Sequence, residues 1–280
     1  MKLAQKLAVN YLRARLNILA VVSKRRAAKK AFQIFCTPFR KSKKKTAPVF
    51  DKGEKLAFQL NDITIKGYRF NHPQPNKLLI VHGFESTIKN FDRFIMPFVR
   101  KGYEVICFDG PAHGRSGGKT ITLPLYVETL RQICERYGPV NRFLAHSFGG
   151  LAVAHLLEVL PHNESTKAVF IAPATETVTA IDSFFRFLDL NEGVREEFDK
   201  IILKKSGVPP SHFSIKRAVK HISAKILWIH DEDDELTPLP DALAVKQEAH
   251  PHIEFEITRG LGHRRIYREN KVVKRIVEFL

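Results

Sequence analysis

Ser147 stands in Ala145-His146-Ser147-Phe148-Gly149, where an apolar run, Arg142-Phe143-Leu144, meets a segment with helical character. A serine hydroxyl is a weak nucleophile at neutral pH and needs a neighbouring base. A tight strand-to-helix turn would present this hydroxyl at the carboxyl edge of a sheet and the positive end of a helix. Such a turn tolerates only small neighbours, and Ala145, Gly149 and Gly150 supply them. Further along, five carboxylates, Asp231 to Glu235 with only Asp, Glu and no spacer between them, follow the apolar run Lys225 to His230. One of them could orient an imidazole. Of the 12 histidines, His263 lies in Gly260-Leu261-Gly262-His263, a turn flexible enough to swing its ring over Ser147. A serine, a carboxylate and an imidazole, in that chain order, are the parts of nucleophilic acyl transfer.

The elements around them alternate. Lys55 to Leu60 and Ile63 to Phe70 read as strands joined at Asn61-Asp62. Further strands are expected at 77–82, 103–108, 141–146, 167–172, 225–230 and 253–258. Helices are expected at 91–101, 124–137, 148–160, 240–250 and 266–280. The strands are short unbroken runs of Leu, Ile, Val and Phe, as in a mostly parallel sheet covered by helices on both faces. Thr175 to His221 interrupts the alternation with Phe184-Phe185, Phe187-Leu188 and a charged helix around Glu192 to Lys205, and reads as a small helical cap inserted between the sixth and seventh strands.

The front of the chain differs in kind. The first 50 residues hold 14 Lys and Arg and no Asp or Glu, so of the formal charge of +17 only +3 (32 basic against 29 acidic) belongs to residues 51–280. The high pI therefore describes an attachment. Residues 1–39 read as helical, with Leu3, Leu7 and Tyr11 at helical spacing and Lys2, Lys6, Arg13 and Arg15 elsewhere on the wheel. Asn17 to Val22 is too short to span a bilayer. Two readings stay open: an interfacial helix on an anionic membrane surface through residues 1–48, or an arm packed on the body or on a second subunit. Nucleic acid is not expected, because Phe32, Phe35 and Phe39 follow no base-stacking module. The run Arg40 to Lys45 before Pro48 reads as a linker. The expected division is thus residues 1–50 as basic extension and linker, and 51–280 as the main domain, with the cap at about 175–221. Cys36, Cys107 and Cys134 lack metal-ligand spacing and read as reduced packing thiols, which suits a cytoplasmic setting, peripheral to the membrane if the extension docks there. No cofactor, metal motif or phosphate-cradling loop is expected.

From Lys55 onward the chain resembles the α/β-hydrolase superfamily. His82-Gly83-Phe84 matches the oxyanion loop, Asp109-Gly110-Pro111-Ala112-His113-Gly114-Arg115-Ser116 a family turn with Ala112 in place of a glycine, His230 to Pro238 the loop of the acid, and Gly262-His263 that of the base. The resemblance implies the α/β-hydrolase fold with an eight-stranded sheet, Ser147 as nucleophile, Asp234 (with Asp233 in reserve) as acid and His263 as base. It implies the backbone amides of Phe84 and Phe148 as oxyanion donors, and turn-supporting roles for His82, His113 and His146. The remaining carboxylates of 231–235 read as a solvated turn, and His155, His162, His212, His221, His250 and His252 as partnerless. The implied reaction is hydrolysis of a small-molecule acyl ester through an acyl-enzyme, with the Phe-rich stretch Phe184 to Phe213 lining an apolar pocket. Thioesters, lactones and carbon–carbon bonds are alternatives on the same residues, and a non-catalytic, membrane-recruited binding module is a further one.

Overall fold

The computed structural model describes residues 3–39 and 45–280. Lys2 and most of the expected linker, Arg40 to Lys44, lie outside the described residues. In chain order the elements are α1 (Leu3–Val22), α2 (Lys24–Phe35), β1 (Glu54–Leu60), β2 (Ile63–Phe70), β3 (Lys77–Val81), α3 (Asp92–Arg100), β4 (Glu104–Phe108), α4 (Leu123–Tyr137), β5 (Arg142–His146), α5 (Phe148–Leu157) and β6 (Lys167–Ile171). They continue with α6 (Thr177–Leu188), α7 (Glu192–Ser206), α8 (Ile215–Ala218), β7 (Lys225–Asp231), α9 (Leu239–Lys246), β8 (Ile253–Thr258), α10 (Gly262–Arg265) and α11 (Asn270–Phe279). Every expected strand is present. The helix expected at 266–280 starts later, at Asn270, after the short α10 and a single 3-10 turn.

The chain forms two compact units, and their boundaries correct the expected division at residue 50. One comprises 38–175 with 215–280; the other joins the front of the chain to Thr37 with Glu176–Ser214. In the first unit the eight strands run in the order β1-β2-β4-β3-β5-β6-β7-β8. The β1–β2 and β2–β4 pairs are antiparallel and all the others parallel. Alternation along the strands sorts the core. Leu78, Ile80, Val105, Cys107, Leu144, Val169, Leu227 and Ile229 face one layer with Phe94 and Phe98 of α3 and Val272 and Ile276 of α11. The intervening residues, such as Leu79, Ile106, Phe143, Phe170 and Trp228, are equally buried on the face that carries α4, α5 and α9. Both faces are dry, which is why these strands read as unbroken apolar runs.

The second unit has its own core. Ala27, Ala28 and Ala31 of α2 are fully buried together with Phe185, Val194 and Phe198 of α6 and α7. Alanine at these positions lets α2 approach α7 closely, and the aromatic rings fill the remaining volume. Phe198 meets Phe32, Phe35 and Phe185 edge-on, with centroids 5.6, 5.7 and 5.2 Å away. Helix termini are closed by side chains: Ser23 accepts from the Arg26 amide, and Asn191 from that of Val194. The extended backbone of Ser23 also splits the single helix expected over 1–39 in two. The front segment is therefore a structural half of a helical unit. Phe184, Phe185 and Phe198 pack in its core rather than lining a pocket, because α1 and α2 supply the apolar partners that the insertion lacks by itself.

Replacing Phe198 with Ala should cost about 3–5 kcal/mol, the range for deleting a buried ring, and should speed tryptic cleavage at the Lys and Arg residues of α2. An unchanged urea midpoint together with an unchanged cleavage rate would contradict this packing.

Candidate active site

Ser147 has φ 56° and ψ −126°, a conformation an L-residue adopts only when its surroundings enforce it. Its amide donates to the Ile171 carbonyl at 3.0 Å, and its carbonyl accepts from the Ala174 amide at 3.1 Å, so the turn is clamped to the loop after β6. The neighbours must be glycine. A Cβ on Gly149 would sit 2.6 Å from the His82 carbonyl oxygen, and one on Gly83 would sit 2.8 Å from Ser147 Cβ. Ala145, two residues before the serine, is buried between Val81 and Phe170, its partners on β3 and β6, where a methyl group fits.

The residues named from the sequence meet at this turn. His263 Nε2 lies 3.0 Å from Ser147 Oγ, and His263 Nδ1 lies 2.8 Å from Asp234 Oδ2. Burial would raise the Asp234 carboxyl, but the hydrogen bond and charge of His263, with donors from Thr237, outweigh it and hold the group at about 2. The amides of Leu236 and Thr237 both donate to Asp234 Oδ1 at 2.9 Å, and the Thr237 hydroxyl is 2.8 Å from Oδ2. The amides of Phe84 and Phe148 have no backbone acceptor among the described residues. Their rings meet edge-on at 6.2 Å beside the serine.

Of the other loop carboxylates, Asp231 departs from the expected solvated turn, while Glu232, Asp233 and Glu235 are exposed as expected. Asp231 is fully buried and accepts from the amides of Gly262 (2.8 Å) and Leu261 and from the Thr258 hydroxyl (2.6 Å). Burial pushes its carboxyl up, yet those donors bring it below the ordinary value. Asp233 accepts from the Gly260 amide at 2.9 Å. These two acids therefore hold the loop that carries His263. His230 secures the other side: its Nε2–H donates to the Thr237 carbonyl at 2.7 Å. Thr237 has no signature in the sequence beyond preceding Pro238.

The three turn histidines act as expected. His82 takes the Gly110 amide on Nε2 at 2.9 Å and donates from Nδ1 to the Gly83 carbonyl at 2.8 Å. His113 takes the Glu85 amide on Nε2 at 3.0 Å and donates to the Pro111 carbonyl. His146 donates from Nε2 to the His263 carbonyl at 2.9 Å, with the two rings 4.6 Å apart. Asp109, fully buried, anchors the neighbouring turn through Thr87, Ile88 and Arg115. A Cβ on Gly114 would fall 2.2 Å from that carboxylate. Ala112 itself has φ +64°, so alanine occupies a left-handed position that favours glycine. Outside the site, several histidines expected to be partnerless have partners. His155 pairs with Glu158 at 2.7 Å, His162 takes the Ser223 amide at 3.0 Å, and His250 meets Glu248 at 3.0 Å. Among the described residues no cluster of His, Cys, Asp or Glu could hold a metal ion. The three cysteines are buried and unbridged, and burial pushes the thiols of Cys36 and Cys134 up to about 12.

Comparison with known proteins agrees with this architecture. A model of the serine aminopeptidase S33 family matches residues 72–198. The uncharacterized protein YqkD of Bacillus subtilis is 24% identical over 258 residues, covering 82% of this chain and 81% of its own. The esterase Pf2001 of Pyrococcus furiosus superposes with a TM-score of 0.64 at 18% identity, over 87% of this chain and 95% of that one. Est1E of Butyrivibrio proteoclasticus, in a structure with ferulic acid bound, gives 0.61 at 16% identity over 80% and 97%. Mouse α/β hydrolase domain-containing protein 10 gives 0.57 at 17% over 80% and 95%. The chain has the α/β-hydrolase fold, and these matches support a hydrolase.

Two measurements follow from the turn chemistry. Ala112→Gly should raise stability by about 0.5–1 kcal/mol by relieving a left-handed alanine, read as a higher melting temperature; a lower one would refute the strain. The second concerns acid. Burial lowers both His113 and His146 from 6.5 to about 3. Folded, they refuse protons that the unfolded chain takes up below pH 6.5, so stability is complete above that value and falls as pH drops toward 3. The two groups should remove on the order of 4 kcal/mol between pH 7 and pH 5. Equal urea midpoints at those two pH values would exclude this.

Proposed function

We propose that the protein is a serine esterase in which Ser147, His263 and Asp234 form the catalytic triad. The observation that carries this reading is the pair of contacts through one imidazole, 3.0 Å to Ser147 Oγ and 2.8 Å to Asp234 Oδ2. As the substrate carbonyl carbon approaches, the Ser147 proton moves to His263 Nε2 and Oγ forms the new C–O bond. The negative charge then develops on the carbonyl oxygen, toward the amides of Phe84 and Phe148, which have no backbone acceptor among the described residues to compete for them. Collapse of the tetrahedral species breaks the bond to the alcohol, which leaves with the proton from His263. A water molecule, giving its proton to the same nitrogen, attacks the acyl carbon. The second collapse returns the proton to Ser147 Oγ and releases the acid. Asp234 keeps the ring in one tautomer and balances its charge while it is protonated.

Esters are preferred within the acyl class because esterase is the activity named for Pf2001, a protein with the same fold. The same steps would serve thioesters or lactones. The family model is named for aminopeptidases, so amides belong in the same assay.

A fluorophosphonate probe should label the protein at Ser147, and Ser147→Ala should abolish labelling and lower ester hydrolysis on the order of a million-fold. Nitrophenyl esters of increasing acyl length, run beside amino-acid nitroanilides, should show turnover of the esters. Absence of labelling, or labelling that survives Ser147→Ala, would refute the mechanism. Faster turnover of the anilides would move the assignment to amides.

A further inference from the structure

Helix α1 has two apolar faces. Leu12, Leu16, Leu19 and Ala20 form one, and it packs within the helical unit. At about 100° per residue the other lies on the opposite side of the helix and carries Leu7, Tyr11, Ala14, Ile18, Val21 and Val22 at spacings of three and four. This second face is open: Leu7 is 61% exposed, Ile18 68% and Val21 90%. Scattered exposed apolar residues are ordinary, but a continuous row along a helix marks a binding surface.

The charge identifies what covers it. Lys6 and Arg15, both exposed, border the row on its two sides, and Lys24, Arg25, Arg26 and Lys29 of α2 are also exposed. No Asp or Glu precedes Asp51. A second copy of α1 laid against the row would bring two basic helices together with no carboxylate on α1 or α2 to offset their charge. A nucleic acid would use the charge and leave the apolar row in water. Only an anionic lipid surface offers both an apolar layer and a negative rim at the same depth. No helix among the described residues is long and apolar enough to cross a membrane. We infer that the outer face of α1 docks in the plane of an anionic lipid interface, with its row of apolar side chains in the acyl boundary and Lys6 and Arg15 at the headgroups. This inference is independent of the proposed esterase activity.

The full chain should co-sediment with phosphatidylcholine vesicles containing phosphatidylglycerol and much less with phosphatidylcholine alone. Salt at about 1 M, where screening reaches only ~3 Å, should weaken the association. The triple substitution Leu7→Gln, Ile18→Gln and Val21→Gln touches only the open face, so melting should be unchanged while partitioning falls at least about ten-fold. Ile18→Gln alone should lower it at least about three-fold, which keeps the test valid if the triple variant folds poorly. Equal partitioning of variants and parent, or equal binding to neutral and anionic vesicles, would overturn the inference. So would a dimer in sedimentation velocity that the substitutions dissolve, since the face would then belong to a second copy.

Discussion

The architecture of the site depends on one backbone constraint, the positive φ of Ser147 between β5 and α5. An L-residue held there costs about 1–2 kcal/mol, and the rest of the turn is arranged so that no other conformation fits. The chain must reverse direction within one residue and begin a helix at once. That brings α5 against the end of β3, so Gly149 has to pass the His82 carbonyl with no side chain in between. The same closeness explains Gly83, whose Cβ would collide with the serine. Two loops of different strands are thus pressed together by one dihedral angle, and the amides of Phe84 and Phe148 open beside the same hydroxyl.

Around that turn lies a layer of buried polar groups that hold loops to one another. His82, His113 and Asp109 tie the loops after β3 and β4, while His230 and Thr237 tie the loop after β7. Asp231, and from the exposed side of the same loop Asp233, reach across to the loop of His263. Each group is satisfied mainly by backbone, which suits loops that must stay fixed without regular secondary structure. The cost of this design is sensitivity to protonation, because imidazoles buried as neutral acceptors resist charging.

The helical unit obeys a separate logic. Its insertion helices carry more aromatic surface than they can bury alone, and the front of the chain brings three buried alanines to meet it. The basic character of that segment is left on the outside, where it shapes the surface and not the core.

Much of this was legible in the residues. The eight strands and the strand–turn–helix at Ser147 follow from apolar runs and small residues, because parallel strands buried on both faces leave an unbroken pattern. Which of five consecutive acids contacts the imidazole was legible only through family spacing, since all five share the same chemistry. Tertiary structure decided the rest. It made Asp231 a buried loop anchor instead of a solvated charge, gave Thr237 its place beside Asp234, and found partners for His155, His162 and His250. It also joined residues at the front of the chain to helices about 150 positions later. Local patterning shows that a helix has an apolar face, but the partner of that face is set by long-range packing, which no local period encodes.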